Sequence, residues 1–286
     1  MNVNFWLIQA FNGISYGALL FLVGSGLSLI FGVMRIVNLS HGSYFLLGGY
    51  VALTVIWTTG SWVLAIPVAA LAIGAIGLVM ERLFLRPLGF DPLRQVLLTV
   101  GFAFLFQQAA LDIWTGNNFD INPPDMLTKS VQVGGLFLPL YRVFMIATAA
   151  VIGLVLWLAM EKTRMGAAVR ATVDDAQMAR GVGIDTSRIS MFIFALGAFL
   201  AAMGGVIGGG FLGIYPGLDF EILPLAFAVV IIGGMGSLGG AAIGALLVGL
   251  ADNFGKALFP EVSYFTLYAP MALILAVKPT GLFGRE

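Results

Sequence analysis

The chain carries apolar runs too long and too closely spaced for a soluble core. They fall near residues 5–33, 42–58, 62–80, 96–116, 142–160, 189–211, 222–236, 239–256 and 264–277. A bilayer hydrocarbon core of about 30 Å takes about 20 helical residues rising about 1.5 Å each. Most runs suit that length; 222–236 and 264–277 are short, so one of them is expected to be a half-helix or re-entrant. The expectation is an all-α polytopic membrane helix bundle of eight or nine membrane elements. Composition agrees: 60% of the 286 residues are hydrophobic and 10% are charged, against about 25% charged in a soluble domain. Alternating strands of about ten residues, the mark of a membrane β-barrel, are absent. Without Cys there is no disulfide and no Cys-based metal site, and the single His41 forbids a His cluster. No metal, cofactor or nucleic-acid partner is expected, the last because a net charge of zero offers no basic surface.

Charge distribution sets the expected orientation. Half of the 28 charges lie in two segments, 81–94 and 161–188, which together hold eight of the fourteen Lys and Arg. Positively charged loops stay cytoplasmic, so both segments are expected inside, with the 117–141 loop between them outside. Residues 212–221, with Asp219 and Glu221 and no cation, are expected outside. Arg35, Lys278 and Arg285 are expected inside. The N-terminus is then outside and the C-terminus cytoplasmic. No Lys or Arg precedes Arg35, so the first run is expected to be a retained helix rather than a signal peptide. Residues 1–286 read as a single transmembrane domain with a cytoplasmic coupling loop at 161–188.

The interior of the spans is nearly free of ionisable groups. Asp112 and Asp252 sit near span ends, and the polar candidates are Asn12, Ser25, Ser28, His41, Gln107 and Gln108. Proton-driven pumps bury Asp, Glu or His as a relay, so the driving energy is not expected from a proton site in this chain. Sodium coupling through carbonyls and hydroxyls stays open. Small residues four apart (Gly13 and Gly17, Gly204 and Gly208, Gly205 and Gly209, Gly240 and Gly244) let helix backbones approach closely, and packing is their expected role.

Two apparent nucleotide motifs do not survive their context. Residues 234–239 spell Gly-x-Gly-x-x-Gly, but no further βαβ units surround them, so a tight glycine turn between two membrane elements is expected. Gly249 to Lys256 is one residue too long for a phosphate loop, and Ala257 replaces the metal-binding Ser or Thr.

The 161–188 segment carries the most information. Residues 167–180 have a helical pattern, with Val169, Val173, Ala176 and Ala179 on one face. Gly181 and Gly183 are expected to break it, and Asp185, Thr186 or Ser187 to cap the next span. A face made of small side chains suits a protein groove, whereas a helix resting on lipid headgroups would carry Trp, Phe or Leu. The segment therefore reads as a lever for a cytoplasmic engine.

Asp175-Ala176-Gln177 followed by Gly181 resembles the Glu-Ala-Ala…Gly coupling loop of ATP-binding-cassette importer permeases, with Asp for Glu, Gln for the second Ala, and no later Leu-Pro. The resemblance extends over essentially the whole chain to the permease subunits of branched-chain amino-acid importers. It is carried by Phe11-Asn12-Gly13 with Gly17, by Gly32 to Gly42 (including Arg35 and Asn38-Leu39-Ser40-His41-Gly42), and by Glu81-Arg82 with Arg86-Pro87-Leu88. Further matches are Arg164-Met165-Gly166 with Arg170-Ala171, Gly233 to Gly240, and Lys278-Pro279-Thr280-Gly281-Leu282-Phe283-Gly284.

What the resemblance implies is a subunit without chemistry of its own. It pairs with a second homologous permease subunit, two cytoplasmic ATP-binding subunits and a periplasmic substrate-binding protein, in the cell inner membrane. It moves branched-chain or other hydrophobic amino acids; relatives with the same machinery take urea, short amides or small carboxylates. Arg170, Asp174, Asp175, Ala176, Ala179, Gly181 and Gly183 are the expected ATPase-coupling residues, and Asn12, Asn38, His41, Gly42 and Gln107 are candidates for a gate or path. For the Asn38–Gly42 turn the simpler expectation is that Asn38 or Ser40 caps the second helix and His41 satisfies a backbone group. A sodium-coupled transporter or channel, and an intramembrane enzyme, are the rival classes; the latter lacks a nucleophile–base pair with one His available.

Overall fold

The computed structural model describes residues 3–89, 91–278 and 280–284. Pro279 of the closing motif and Arg285 lie outside the described residues. The apolar runs form helices α1 (Val3–Met34), α2 (His41–Thr59), α3 (Trp62–Met80) and α4 (Pro92–Trp114). The 117–141 loop holds a one-turn α5 (Asp125–Thr128) and an antiparallel hairpin, β1 (Ser130–Val133) with β2 (Leu136–Pro139). Then come α6 (Leu140–Lys162), α7 (Arg164–Asp174), α8 (Ala176–Gly181), α9 (Thr186–Leu212), α10 (Leu218–Gly233), α11 (Leu238–Leu258) and α12 (Ser263–Val277). The hairpin is absent from the sequence expectation. Its signal is the Gly134-Gly135 pair, both at positive φ (58° and 85°), the demand of a two-residue hairpin turn.

Six of the described helices are long and apolar enough to cross a bilayer: α1, α3 with its continuation to Leu88, α4, α6, α9 and α11. At 16 and 15 residues, α10 and α12 are about 24 and 22 Å long, so both elements expected to be short are short. The fold is thus an all-α polytopic membrane bundle. α2 has the length to span but is more polar, and the reason is its position. Residues 41–50 are buried throughout, enclosed by α9, α3, α10 and α4, so this half of the helix needs no lipid-compatible surface.

The core lies around α1, α9 and α2. Most of α1 from Gly13 to Ile30 and most of α9 are buried, whereas few residues of α4 and α6 are. Their outward residues are apolar, for example Leu93, Leu97, Leu105 and Ile113 on α4 and Val151, Leu154 and Trp157 on α6. Such faces belong against lipid or another membrane chain. α1 leaves the bundle at Arg35, whose left-handed backbone (φ 53°) reverses the chain while its N–H still bonds Phe31 O at 2.8 Å.

Within lipid, apolar surface gains little by meeting apolar surface, so helices associate through close van der Waals packing. The glycines expected to pack do so. A methyl group on Gly17 would lie 2.7 Å from Ala245 O on α11, and one on Gly26 would lie 2.7 Å from Gly197 O on α9. A Cβ at Gly205 would run into Phe45 O of α2. Optimal non-bonded separations are about 3.5 Å or more, so none of these sites accepts a side chain without moving a backbone.

Gly205→Ala should therefore push α9 off α2. We expect it to destabilise the purified protein by about 1–3 kcal/mol, read as a lowered unfolding temperature in detergent. Gly101→Ala, where an added Cβ meets no atom within 4 Å on exposed α4, should change stability by no more than about 1 kcal/mol.

Candidate functional site

The 161–188 segment is fastened to the bundle at both ends. α6 ends at Lys162, and Thr163 Oγ1 accepts the Gly166 N–H at 3.0 Å to open α7. The turn is so tight that a Cβ at Gly166 would strike the carbonyl oxygens of Ala159 and Met160. Arg170 reaches back, donating to Met160 O and lying 3.9 Å from Glu161 Oε2. A cation at the carbonyl end of α6 satisfies an orphan acceptor and complements the helix dipole.

Where the pattern predicts one helix over 167–180, the structure has two. α7 stops at Asp174, and Asp175 adopts extended backbone (φ −152°). Its Oδ1 accepts the N–H groups of Gln177 at 2.8 Å and Met178 at 2.9 Å, capping α8. Asp bonding its own downstream amides competes with helix continuation, and the Asp174-Asp175 pair was the available signal. α8 includes Gly181; the reversal falls at Gly183, where φ is 88°. Ile184 N then bonds Ala179 O at 3.0 Å, and Asp185 Oδ1 accepts the Arg188 N–H at 3.1 Å to start α9.

One face of the pair is seated. Val169 is buried in an apolar cluster with Leu29 of α1, Leu156 of α6 and Ile189, Ile193 and Leu200 of α9. Ala179 is buried and Val173 and Ala176 are half-buried. The other face is bare: Met178 is 67% and Val182 71% exposed, one helical turn apart, with Asp174, Asp175, Gln177, Arg180 and Gly181 around them. Met178 and Val182 were missed in the sequence because only the small-residue face was followed.

The 81–94 segment meets the same region. Glu81 opens a π-helical turn, Glu81–Leu85, that prolongs α3. Glu81 is 2% exposed, and Arg86 Nη2 donates both to its Oε2 (3.1 Å) and to Ser187 O (3.0 Å). This clasp ties the end of α3 to the first turn of α9. π-helical turns recur at functional positions.

The candidate gate residues do not converge on one place. At the head of α2, Asn38 Oδ1 accepts from Ser40 N (3.1 Å) and Ser40 Oγ (2.7 Å), and His41 Nε2 lies 3.0 Å from Val23 O. Ser40 stands at the N-cap without a side-chain cap bond. Gly42 lies against the Asp219 backbone. Asn12, on α1, accepts from Arg142 Nη1 at 2.7 Å, and Gln107 is half-buried on α4. Asp219, expected in an outer loop, is instead in the first turn of α10 and 1% exposed, with Ser43 Oγ donating to its Oδ2 at 3.1 Å. The spans therefore do enclose an acid that hydropathy assigned to a loop.

Two glycine motifs far apart in sequence are halves of one joint. Gly234 and Gly236, at φ 102° and 81°, turn the chain between α10 and α11, and Ser237 Oγ caps α11 through Gly240 N at 3.0 Å. The closing residues bond the open end of α10: Leu282 N to Ile232 O at 2.9 Å and Phe283 N to Gly233 O at 3.0 Å. Gly249 to Lys256 lies within α11, in helical backbone that cannot wrap a phosphate.

A helix bundle of this length and composition is a multi-pass membrane protein. Residues 9–275 match the family model described as branched-chain amino acid transport system / permease component, and the chain belongs to that family as a transport component. It is 32% identical to the high-affinity branched-chain amino acid transport system permease protein LivH of Escherichia coli K12, over 98% of this chain and 96% of the relative. It is 28% identical to BraD of Pseudomonas aeruginosa with the same coverage, and 26% identical to LivM of Salmonella typhimurium over 91% of this chain and 67% of that protein. No solved structure matches the chain significantly.

The cap on α8 can be tested directly. The Met178 and Gln177 N–H groups, aided by Arg180, hold the Asp175 carboxyl below the usual carboxylate range. A lowered folded-state pKa stabilises above the unfolded value and is lost as pH falls through the folded one. α8 should therefore stay capped at neutral pH and fray only in acid. Asp175→Ala should speed amide hydrogen exchange at Gln177 and Met178 roughly fivefold at neutral pH, while Asp175→Asn, which still caps, should not.

Proposed function

We propose that this chain is the permease subunit of an ATP-dependent importer of branched-chain or other hydrophobic amino acids in the cell inner membrane. The substrate assignment rests on what LivH and BraD are named for, and the same machinery with urea, short amides or small carboxylates is the nearest alternative. The chain acts as one transmembrane permease domain. A second homologous permease subunit completes the path, and the relation to both LivH and LivM supports that pairing. ATP is hydrolysed on two cytoplasmic partner subunits, and a periplasmic binding protein delivers substrate at the 117–141 and 212–221 face. The N-terminus lies outside and the C-terminus in the cytoplasm.

The observation that carries this reading is the bare apolar pair Met178 and Val182 on a lever whose other face is locked into α1, α6 and α9. An exposed pair held by a rigid mount is how a groove on another subunit is engaged. Motion of that groove passes through Val169 to the core helices and through Ser187 and Arg86 to α3. The partner's ATP shifts the balance between outward and inward states by its differential affinity for them. A sodium-driven carrier gives no reason for such a lever.

In the assembled importer, Met178→Asp and Asp175→Ala should each reduce amino-acid uptake by roughly tenfold or more while the partner subunits still hydrolyse ATP. Wild-type uptake and coupling in both variants would defeat the assignment. The purified chain alone should neither bind nor hydrolyse ATP, and uptake by that lone chain in sodium-loaded vesicles would favour a secondary carrier.

A further inference from the structure

Asp219 is a buried acid at the contact between α10 and α2. One carboxylate oxygen accepts the Ser43 hydroxyl, and the other, Oδ1, has no side-chain partner. The backbone amides of Asp219 and Phe220, in the first turn of α10, act on the carboxylate from the helix side, that of Phe220 while also bonding Gly217 O at 3.0 Å. No Lys or Arg is ion-paired with it among the described residues. Facing it on α2, two helical turns beyond Ser43 and on the same side, is Tyr50. Tyr50 is fully buried, its hydroxyl has no partner, and it lies close enough to feel the charge of Asp219.

Such an arrangement is costly for packing alone, because a buried charge must be matched or neutralised. An Asn would bond Ser43 as well without the charge. Favouring the N-terminus of α10 is not a sufficient reason either, since Glu221 in the same turn supplies a negative charge from an exposed position. The site lacks what a divalent metal needs: no group of three His, Cys, Asp or Glu converges anywhere among the described residues. One carboxylate, two hydroxyls and no cation suit a single positive charge with several N–H donors. Above the acid, the Tyr50 ring stacks on Trp114 at 5.1 Å and meets Phe119 edge-on at 6.4 Å. Acid and aromatics thus present a charged end and an apolar end along one face of α2.

We infer that Asp219, Ser43 and Tyr50 form a subsite for the primary ammonium group of an apolar amino acid, entered when α10 and α2 part. This rests on the transport reading above and names the substrate group that the chain itself handles.

The test uses the assembled importer in nanodiscs, both nucleotide-free and trapped with ATP and vanadate. The probes are 3-methylbutan-1-amine, which has the ammonium and branched chain of leucine without its carboxylate, and 4-methylpentanoate, which keeps the carboxylate without the ammonium. Calorimetry should show the amine binding in at least one state, with affinity lowered roughly tenfold or more by Asp219→Asn and retained by Asp219→Glu. The acid should bind wild type and Asp219→Asn alike or neither. The inference is overturned if the amine binds neither protein, if it binds both equally, or if sodium chloride displaces it where choline chloride does not, which would make this a metal-cation site. Leucine uptake is measured alongside. A wild-type importer that binds the amine at Asp219 yet takes up no branched-chain amino acid would sink the transport reading and leave the subsite standing.

Discussion

Close backbone contact is the constraint on which the rest of this molecule depends. In a bilayer, apolar surface is no refuge from anything, so helices hold together only where their main chains can nearly touch. α1 reaches α11 through Gly13 and Gly17 and reaches α9 through Gly26, and α2 crosses α9 where Gly205 meets Phe45. These contacts allow the polar first half of α2 to be enclosed. Without that enclosure its hydroxyls, its His and the facing Asp219 would confront lipid, where unpaired polar groups are expensive.

The same economy links the bundle to its peripheral segment. α7 is not an ornament on a loop; its Val169 sits among side chains from α1, α6 and α9, and Arg170 closes the end of α6. At the other end the Glu81–Arg86–Ser187 clasp couples α3 to the start of α9. A push on α8 has two rigid routes inward, one apolar and one ionic. Packed interfaces tend to switch between discrete arrangements rather than bend, which suits a transporter that must occupy two states.

Most of the architecture was legible in the sequence. The nine apolar runs became helices within a few residues of their expected ends, and the Gly-x-x-x-Gly pairs became contacts, because run length and small-residue spacing report directly on membrane helices. The polar details were not. The break at Asp175 was hidden because Val169, Val173, Ala176 and Ala179 keep helical spacing straight through it. Asp219 was assigned to a loop because hydropathy rewards the apolar residues after it and cannot see that α2 offers a hydroxyl in the right place. Nothing in the charged 81–94 run distinguishes Glu81, which is buried and pairs with Arg86, from its solvated neighbours. The closing Gly281-Leu282-Phe283 was legible as a motif but not as a cap, since its partner lies in a different stretch of chain.

The pairing of α1 with α11 has a consequence for how the molecule is made. α1 lies far ahead of α11 in the chain, so during synthesis its glycine face must wait while the segments between them are threaded. In water an unmatched apolar groove would invite aggregation. In lipid a stripe of glycine is coated by acyl chains, which are expelled when the later helix arrives, so a contact between distant segments can form late.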